Sequence, residues 1–175
     1  LLKHLQPLLK QRKIRLVLIG KSAEGTYYKK VKEMIDSINS FDYFVQQRER
    51  NDYRDLKIYK KGKRKDKISK KDLKPYSPVM ILEGLNNSEV SYILQGALCL
   101  VQYSSVEGFG MPLVEAPMNL CPVICSKIKI FSEVGSFITI DYEKPEDLTN
   151  EVINLLEQDS FLRKALIKNQ FESIY

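Results

Sequence analysis

The sequence predicts an α/β protein: one domain with a central parallel sheet and helices on both of its faces. Three observations carry this expectation. Short runs of Val, Leu and Ile recur between longer stretches with helical periodicity, and that alternation marks α/β architecture. The runs are apolar throughout rather than alternating with polar residues, as strands covered on both faces are. Finally, the stretch V-E-G-F-G-M-P-L-V-E-A, from Val106 to Ala116, follows one of these runs and leads into a helical pattern. Strand, glycine loop and helix start together form the usual ligand crevice at the carboxyl ends of a parallel sheet.

Taken in order, Leu1 to Lys13 reads as a helix through Leu1, Leu2, Leu5, Leu8 and Leu9, with a kink or restart expected at Pro7. Arg15 to Gly20, R-L-V-L-I-G, is a short strand ending in glycine. Thr26 to Asn39 is an amphipathic helix through Tyr27, Val31, Met34, Ile35 and Ile38, and Phe41 to Val45 is a short strand. Val79 to Glu83 is the next strand, closed by Gly84. Asn86-Asn87-Ser88-Glu89 then supplies N-cap candidates for a helix through Val90, Tyr92, Ile93 and Leu94. Ala97 to Tyr103 is the strand before the glycine loop, Pro112 to Met118 the helix after it, and Pro122 to Cys125 another strand. Phe131 to Gly135 reads as a turn and Phe137 to Ile140 as a strand. Pro145 to Leu156 is a helix with acids in its first turn, which suits the helix dipole. Ser160 to Ile174 is a last amphipathic helix.

The 175 residues are enough for one domain with a sizeable core, and 43% hydrophobic content is ordinary for a soluble globular protein. No apolar run is long enough for a membrane-spanning helix, and no signal peptide is visible. The chain begins Leu1-Leu2-Lys3, already in helical pattern, which reads as a fragment or a chain with its front missing. Its three cysteines, Cys99, Cys121 and Cys125, lie in apolar surroundings. An odd count without extracellular signals favours reduced, buried, structural thiols in the cytoplasm over disulfides. A Cys121/Cys125 metal pair lacks further ligands, the single His4 being far away in sequence.

The net charge of +6 is local. Gln46 to Pro78 holds thirteen Lys/Arg against five Asp/Glu, a surplus of eight, so the rest of the chain is slightly acidic. Few apolar residues occur in this segment, and a hairpin or long loop is expected, a basic insertion at about 46–78. The plain reading is a solvated lysine-rich loop. Peripheral contact with an anionic membrane surface comes next. Nucleic acid is not an expected partner, since no stacking aromatics or recognition motif accompany the charge.

The candidate site is the loop from Glu107 to Glu115. Gly108 and Gly110 allow a tight turn and close backbone approach to a ligand. Pro112 suits the first helical position, and the helix's free N–H groups and positive dipole end would face an anion. Glu107 and Glu115 bracket the turn with seven residues between them. A carboxylate accepts hydroxyl donors in pairs; the plainer alternative is two solvated acids drawn to a helix end. Gly20-Lys21-Ser22 lacks the earlier glycine of a phosphate-binding loop.

With its flanks, E-G-F-G-M-P-L-V-E-A resembles the E-x7-E signature of retaining glycosyltransferases of family 4, enzymes with the two-domain GT-B fold. Gly84-Leu85-Asn86-Asn87-Ser88-Glu89-Val90 resembles the family's glycine, loop and helix before the signature strand. Ser104 stands where the family often has serine, three residues ahead of the first glutamate. Pro122-Val123-Ile124, Ser132-Glu133-Val134-Gly135, and Ile140-Asp141 with Pro145-Glu146-Asp147-Leu148 resemble later family segments. The resemblance covers Val79 to Glu157 well and Leu1 to Asn39 loosely. It departs at Leu120, where the family has glycine, at Tyr103 in place of proline, and at Pro117 in place of methionine.

The resemblance implies the C-terminal, donor-binding half of such an enzyme, a Rossmann-like domain spanning 1–175. It would bind a nucleoside-diphosphate sugar as substrate, with no cofactor and no metal. Glu115 would accept bonds from the ribose hydroxyls. Glu107, the implied catalytic residue, and the backbone N–H groups of Phe109, Gly110 and Met111 would hold the donor sugar. Gly108 and Pro112 would lie in the same donor site, the helix start near the diphosphate, and Lys21 close by. The partners implied are a glycan or lipid-linked acceptor and an N-terminal GT-B domain that this sequence lacks, together with the family's basic Arg/Lys pair. A non-catalytic nucleotide-sugar-binding module, or a membrane-docking fragment needing a partner, is the alternative.

Overall fold

The computed structural model describes residues 1–11, 13–20, 25–40, 77–141 and 143–174. The expected strand at Phe41 to Val45 and nearly all of the basic segment lie outside the described residues. The chain divides into two compact units, Leu1–Leu5 with Gly84–Tyr175, and Gln6–Glu83. The boundary falls within helix α1 (Leu2–Lys10), which runs without a break through Pro7. The proline forfeits one backbone bond, at about 3 kcal/mol. Leu2, Leu5, Leu8 and Leu9 are all buried; at about 2 kcal/mol each their burial outweighs that loss.

In the smaller unit, β1 (Leu16–Ile19) pairs in parallel with β2 (Val79–Leu82), Leu16 opposite Val79 and Ile19 opposite Leu82. Helix α2 (Thr26–Ser40) buries Ile35 and Ile38, two of the positions its periodicity marks as core. Asn39 near its end bonds the backbone of Val79 twice, Nδ2 donating to the carbonyl at 3.1 Å and Oδ1 accepting from the N–H at 3.1 Å. The helix end is thereby fixed to the start of β2.

The larger unit holds the other sheet, parallel and ordered β3-β4-β5: β3 (Leu100–Gln102), β4 (Val123–Ser126) and β5 (Ile138–Ile140). Its register sets Leu100 opposite Val123 and Ile124 opposite Ile138. Every residue of β4 is buried, as the middle strand of a covered sheet requires. Helix α3 (Asn87–Gly96) opens with the capping box foreseen at Asn86 and Glu89: Asn86 Oδ1 accepts from the Glu89 N–H at 2.9 Å, and Glu89 Oε2 accepts from the Asn86 N–H at 2.8 Å. Helix α4 (Met111–Met118) connects β3 to β4, and α6 (Pro145–Glu157) and α7 (Ser160–Glu172) close the chain. The core gathers Leu94, Leu113, Ala116, Cys121, Val123, Cys125, Phe131 and Val134.

One expectation is corrected. The stretch Phe131 to Gly135 is not merely a turn: Lys129–Val134 forms the short helix α5, which ends at Gly135. Phe131 and Val134, three apart and therefore on one helical face, are both buried, so packing decides the conformation where the short polar-looking sequence reads as a turn. The strand at Ala97 to Tyr103 is also shorter than expected, since Ala97 instead caps α3. No described helix is long and apolar enough to cross a membrane.

Candidate functional site

Strands β3 and β4 end side by side, Gln102 opposite Cys125, one residue before Ser126. The chain leaves β3 through residues 103–110 and enters α4 at Gly110. The neighbouring strand holds this loop: the backbone N–H of Ser104 donates to Ser126 Oγ at 3.0 Å. Ser126 is fully buried, so its hydroxyl is a fixed acceptor.

Glu107 is half-buried and held at one oxygen. Its Oε1 accepts from Gln102 Nε2 at 2.8 Å and from Ser104 Oγ at 2.7 Å. Gln102 Nε2 also reaches Ser104 Oγ at 3.3 Å. Among the described residues, no bond is made to Oε2. An ionised carboxylate accepts at both oxygens, so the second oxygen retains its full capacity for a hydroxyl donor.

Gly110 is the N-cap of α4, at φ 85° and ψ 48°. This left-handed conformation favours glycine, and a second constraint points the same way. A Cβ on Gly110 would lie 2.8 Å from Phe131 Cε1 and 3.2 Å from Cδ1. The ring of α5 therefore closes against the start of α4. Gly108 differs: its φ is not positive and a Cβ there would meet nothing within 4 Å. Its smallness matters only for what approaches from outside.

Two placements shift from the sequence reading. Met111, not Pro112, takes the first position of α4, and Pro112 the second. The proline still costs no bond, because the second position also lacks an intrahelical acceptor. Glu115 is the fifth residue of the helix, beyond its first turn. The dipole's attraction for acids fades within the first turn, so a generic preference does not account for Glu115. Met111, Glu115 and Met118 form one exposed stripe of α4, while Leu113, Ala116 and Pro117 form the buried one. No side chain caps the start of α4; Pro112 has no N–H and the Leu113 N–H donates to the Gly110 carbonyl at 2.8 Å, so of the first three helical positions Met111 alone keeps an amide donor for solvent or ligand.

The structure thus collects Glu107, Gly108, Phe109, Gly110, Met111 and Pro112 at the strand ends and the head of one helix, with Glu115 one turn further along. Lys21 lies outside the described residues. Sequence reasoning missed Gln102, Ser126 and Phe131. The first two had a signal: each is a polar residue ending an otherwise apolar strand, Leu100-Val101-Gln102 and Val123-Ile124-Cys125-Ser126. Phe131 had none, because its contact with Gly110 joins residues distant in sequence. Glu133, in the family-like segment Ser132 to Gly135, is exposed and pairs with Lys129 at 3.6 Å. Among the described residues, no group of three or more His, Cys, Asp and Glu is placed to hold a metal ion.

Three comparisons bear on this arrangement. No curated protein matches the sequence. Among solved structures, Anabaena Alr3699/HepE, determined in complex with UDP-glucose, superimposes with a TM-score of 0.64 at 16% identity, covering 97% of this chain and 39% of that one. A UDP-forming α,α-trehalose-phosphate synthase from Burkholderia xenovorans does so with a TM-score of 0.63 at 11% identity, covering 98% and 36%. The apo structure of OtsA gives 0.63 at 8% identity, covering 98% and 36%. The fold is thus that of a Rossmann-like half of a GT-B protein, and this chain spans less than two fifths of the length of those it superimposes on. The description "glycosyl transferases group 1" belongs to a family model that matches residues 1–173. The chain belongs to the glycosyl transferases group 1 family.

Proposed function

We propose that the chain is the donor-binding domain of a retaining glycosyltransferase, moving a sugar from a nucleoside diphosphate to a glycan or lipid-linked acceptor. The observation that carries this reading is the head of α4: an uncapped helix start behind a left-handed glycine, with one braced carboxylate before it and one exposed carboxylate a turn beyond. In the proposal, Glu115 accepts from the ribose hydroxyls. Glu107 and the N–H groups of Phe109, Gly110 and Met111 hold the donor sugar's hydroxyls. The start of α4 at Pro112 faces the diphosphate, where the positive end of the helix dipole favours negative charge. The same groups stabilise the leaving nucleoside diphosphate as its bond to the anomeric carbon breaks. The acceptor oxygen bonds that carbon from the same face, and the departing phosphate takes the acceptor's proton. Lys21 is assigned to the neighbourhood of the donor, and the donor is a substrate, with no resident cofactor or metal in the scheme. The remainder of the cleft and the acceptor site are assigned to an N-terminal GT-B domain.

The test is calorimetric titration with UDP. The chain should bind it, and Glu115→Ala should weaken binding about tenfold, as loss of a hydrogen bond to a charged group does. Unchanged affinity in that variant would sink the ribose assignment.

We assign residues 1–175 to one cytoplasmic nucleotide-sugar-binding domain, and give the basic insertion at about 46–78 a peripheral role against anionic lipid. Near such a surface each Lys or Arg gains about 1 kcal/mol. Deleting residues 46–78 should abolish co-sedimentation with phosphatidylserine vesicles and spare UDP binding. Equal sedimentation of both forms would reject the membrane contact.

A further inference from the structure

Two polar side chains outside the signature, those of Gln102 and Ser104, converge on one oxygen of Glu107, and a third, that of Ser126, fixes the backbone of Ser104. Gln102 ends β3 and Ser126 ends β4, so both stand on paired strands. Ser126 Oγ fixes the backbone of Ser104 at 3.0 Å. Ser104 Oγ and Gln102 Nε2 then both donate to Glu107 Oε1, at 2.7 and 2.8 Å. The loop has little apolar anchorage of its own on either side of Glu107, since Val106 is 85% exposed and Phe109 50% exposed. At the far end Gly110 is buried against Phe131. Between these points the polar brace is what holds the carboxylate.

We infer that Gln102, acting with Ser104 and Ser126, is a positioning residue that fixes Glu107 and so makes the site discriminate a nucleotide sugar from the free nucleoside diphosphate. The brace occupies Oε1 and leaves Oε2 for a sugar hydroxyl. A carboxylate held in place accepts such a bond without first losing its own rotamer freedom, and pre-organisation of this kind raises affinity by lowering the ordering cost. The inference rests on the donor-site reading above. It goes further in naming a residue outside the signature, and in locating the discrimination in the sugar half of the ligand alone. Glu115 and the helix start, assigned to the nucleotide, take no part in the brace.

The test compares UDP-glucose with UDP as probes on the full chain, by calorimetry, with thermal melting as a control for folding. Gln102→Leu removes the amide donor at similar size. It should weaken UDP-glucose binding by up to about tenfold, the ordering cost of one carboxylate side chain set free, and leave UDP within about twofold. Gln102→Glu keeps the shape and sets a second carboxylate against Oε1; near pH 8 the loss for UDP-glucose should be larger still, because like charges at this distance repel. Equal weakening of both ligands, or of neither, overturns the positioning role. Glu107→Gln separates the two levels of argument. If it leaves the preference between the ligands unchanged, the sugar assignment itself fails; if it shifts the preference while both Gln102 variants do not, only the brace fails.

Discussion

Leu120 holds a backbone conformation that its own side chain opposes, at φ 59°. It follows α4 directly, and the bonds around it explain why. The Leu120 N–H donates to the Pro117 carbonyl at 3.0 Å and the Cys121 N–H to the Ala116 carbonyl at 2.9 Å. These are the paired bonds of a Schellman motif, whose pivotal residue is left-handed and usually glycine. The family resemblance pointed to glycine at this position, and the backbone keeps the geometry although the sequence has leucine. The side chain is 70% exposed, so it recovers little by burial, while the left-handed state costs a non-glycine residue about 1 kcal/mol. Leu120→Gly should therefore stabilise the chain by roughly 1 kcal/mol, a rise of about 2–4 °C in melting temperature at this size. A lower melting temperature would mean that the leucine has a packing role its exposure does not reveal. Gly110 is the converse case: the same left-handed requirement is met by glycine, and the ring of Phe131 enforces it.

At the scale of elements, two strands begin on an amide side chain. Gln170 of α7 is 1% exposed and bonds Val123 twice, Oε1 accepting from the N–H at 2.8 Å and Nε2 donating to the carbonyl at 2.9 Å. Asn39 serves Val79 the same way in the smaller unit. Strand β5 pairs with β4 only from Ile124 onward, so Gln170 bonds Val123 on the side of β4 away from β3, where β5 does not reach. Buried backbone groups must be paired. Gln170→Leu should cost roughly 3 kcal/mol by orphaning a donor and an acceptor, measured by urea unfolding. A loss below about 1 kcal/mol would indicate that water replaces the amide. Neither amide signals its role in the sequence, since a glutamine in an amphipathic helix reads as part of the solvent face. The capping box at Asn86 and Glu89 was legible because its partners lie three residues apart. Helix α5 was not, because it exists to place Phe131 and Val134 in a core built from distant segments.

Across the whole molecule, the three cysteines are free and their burial has a consequence for pH. Burial pushes Cys99 and Cys125 up to about 12 and Cys121 to about 11, from an ordinary 9.0, with the charge of Arg163 opposing the rise at Cys99 and Cys121. A raised folded value stabilises the chain fully below the unfolded value, and that contribution is lost as pH rises toward the folded one. Stability should therefore fall between about pH 9 and 12, and less steeply in a variant with all three cysteines changed to Ala. Identical slopes would remove the thiols from the account. At neutral pH these thiols should also resist alkylation in the native chain, since the thiolate is the reactive form.

The sequence by itself determined the strand–helix alternation, the parallel pairing of the strands, the capped start of α3, and the glycine loop that leads from β3 into a helix. All of these follow from periodicity and from partners within a few residues of one another, which a linear reading can see. Only the tertiary structure decided that Glu107 is held through Gln102, Ser104 and Ser126, that Gly110 is closed against Phe131, and that Gln170 bonds β4 at Val123. Each of these joins segments brought together by parallel pairing, and parallel strands need long crossovers. The partner of a polar group in such a fold lies an element or more away, where sequence spacing carries no record of it.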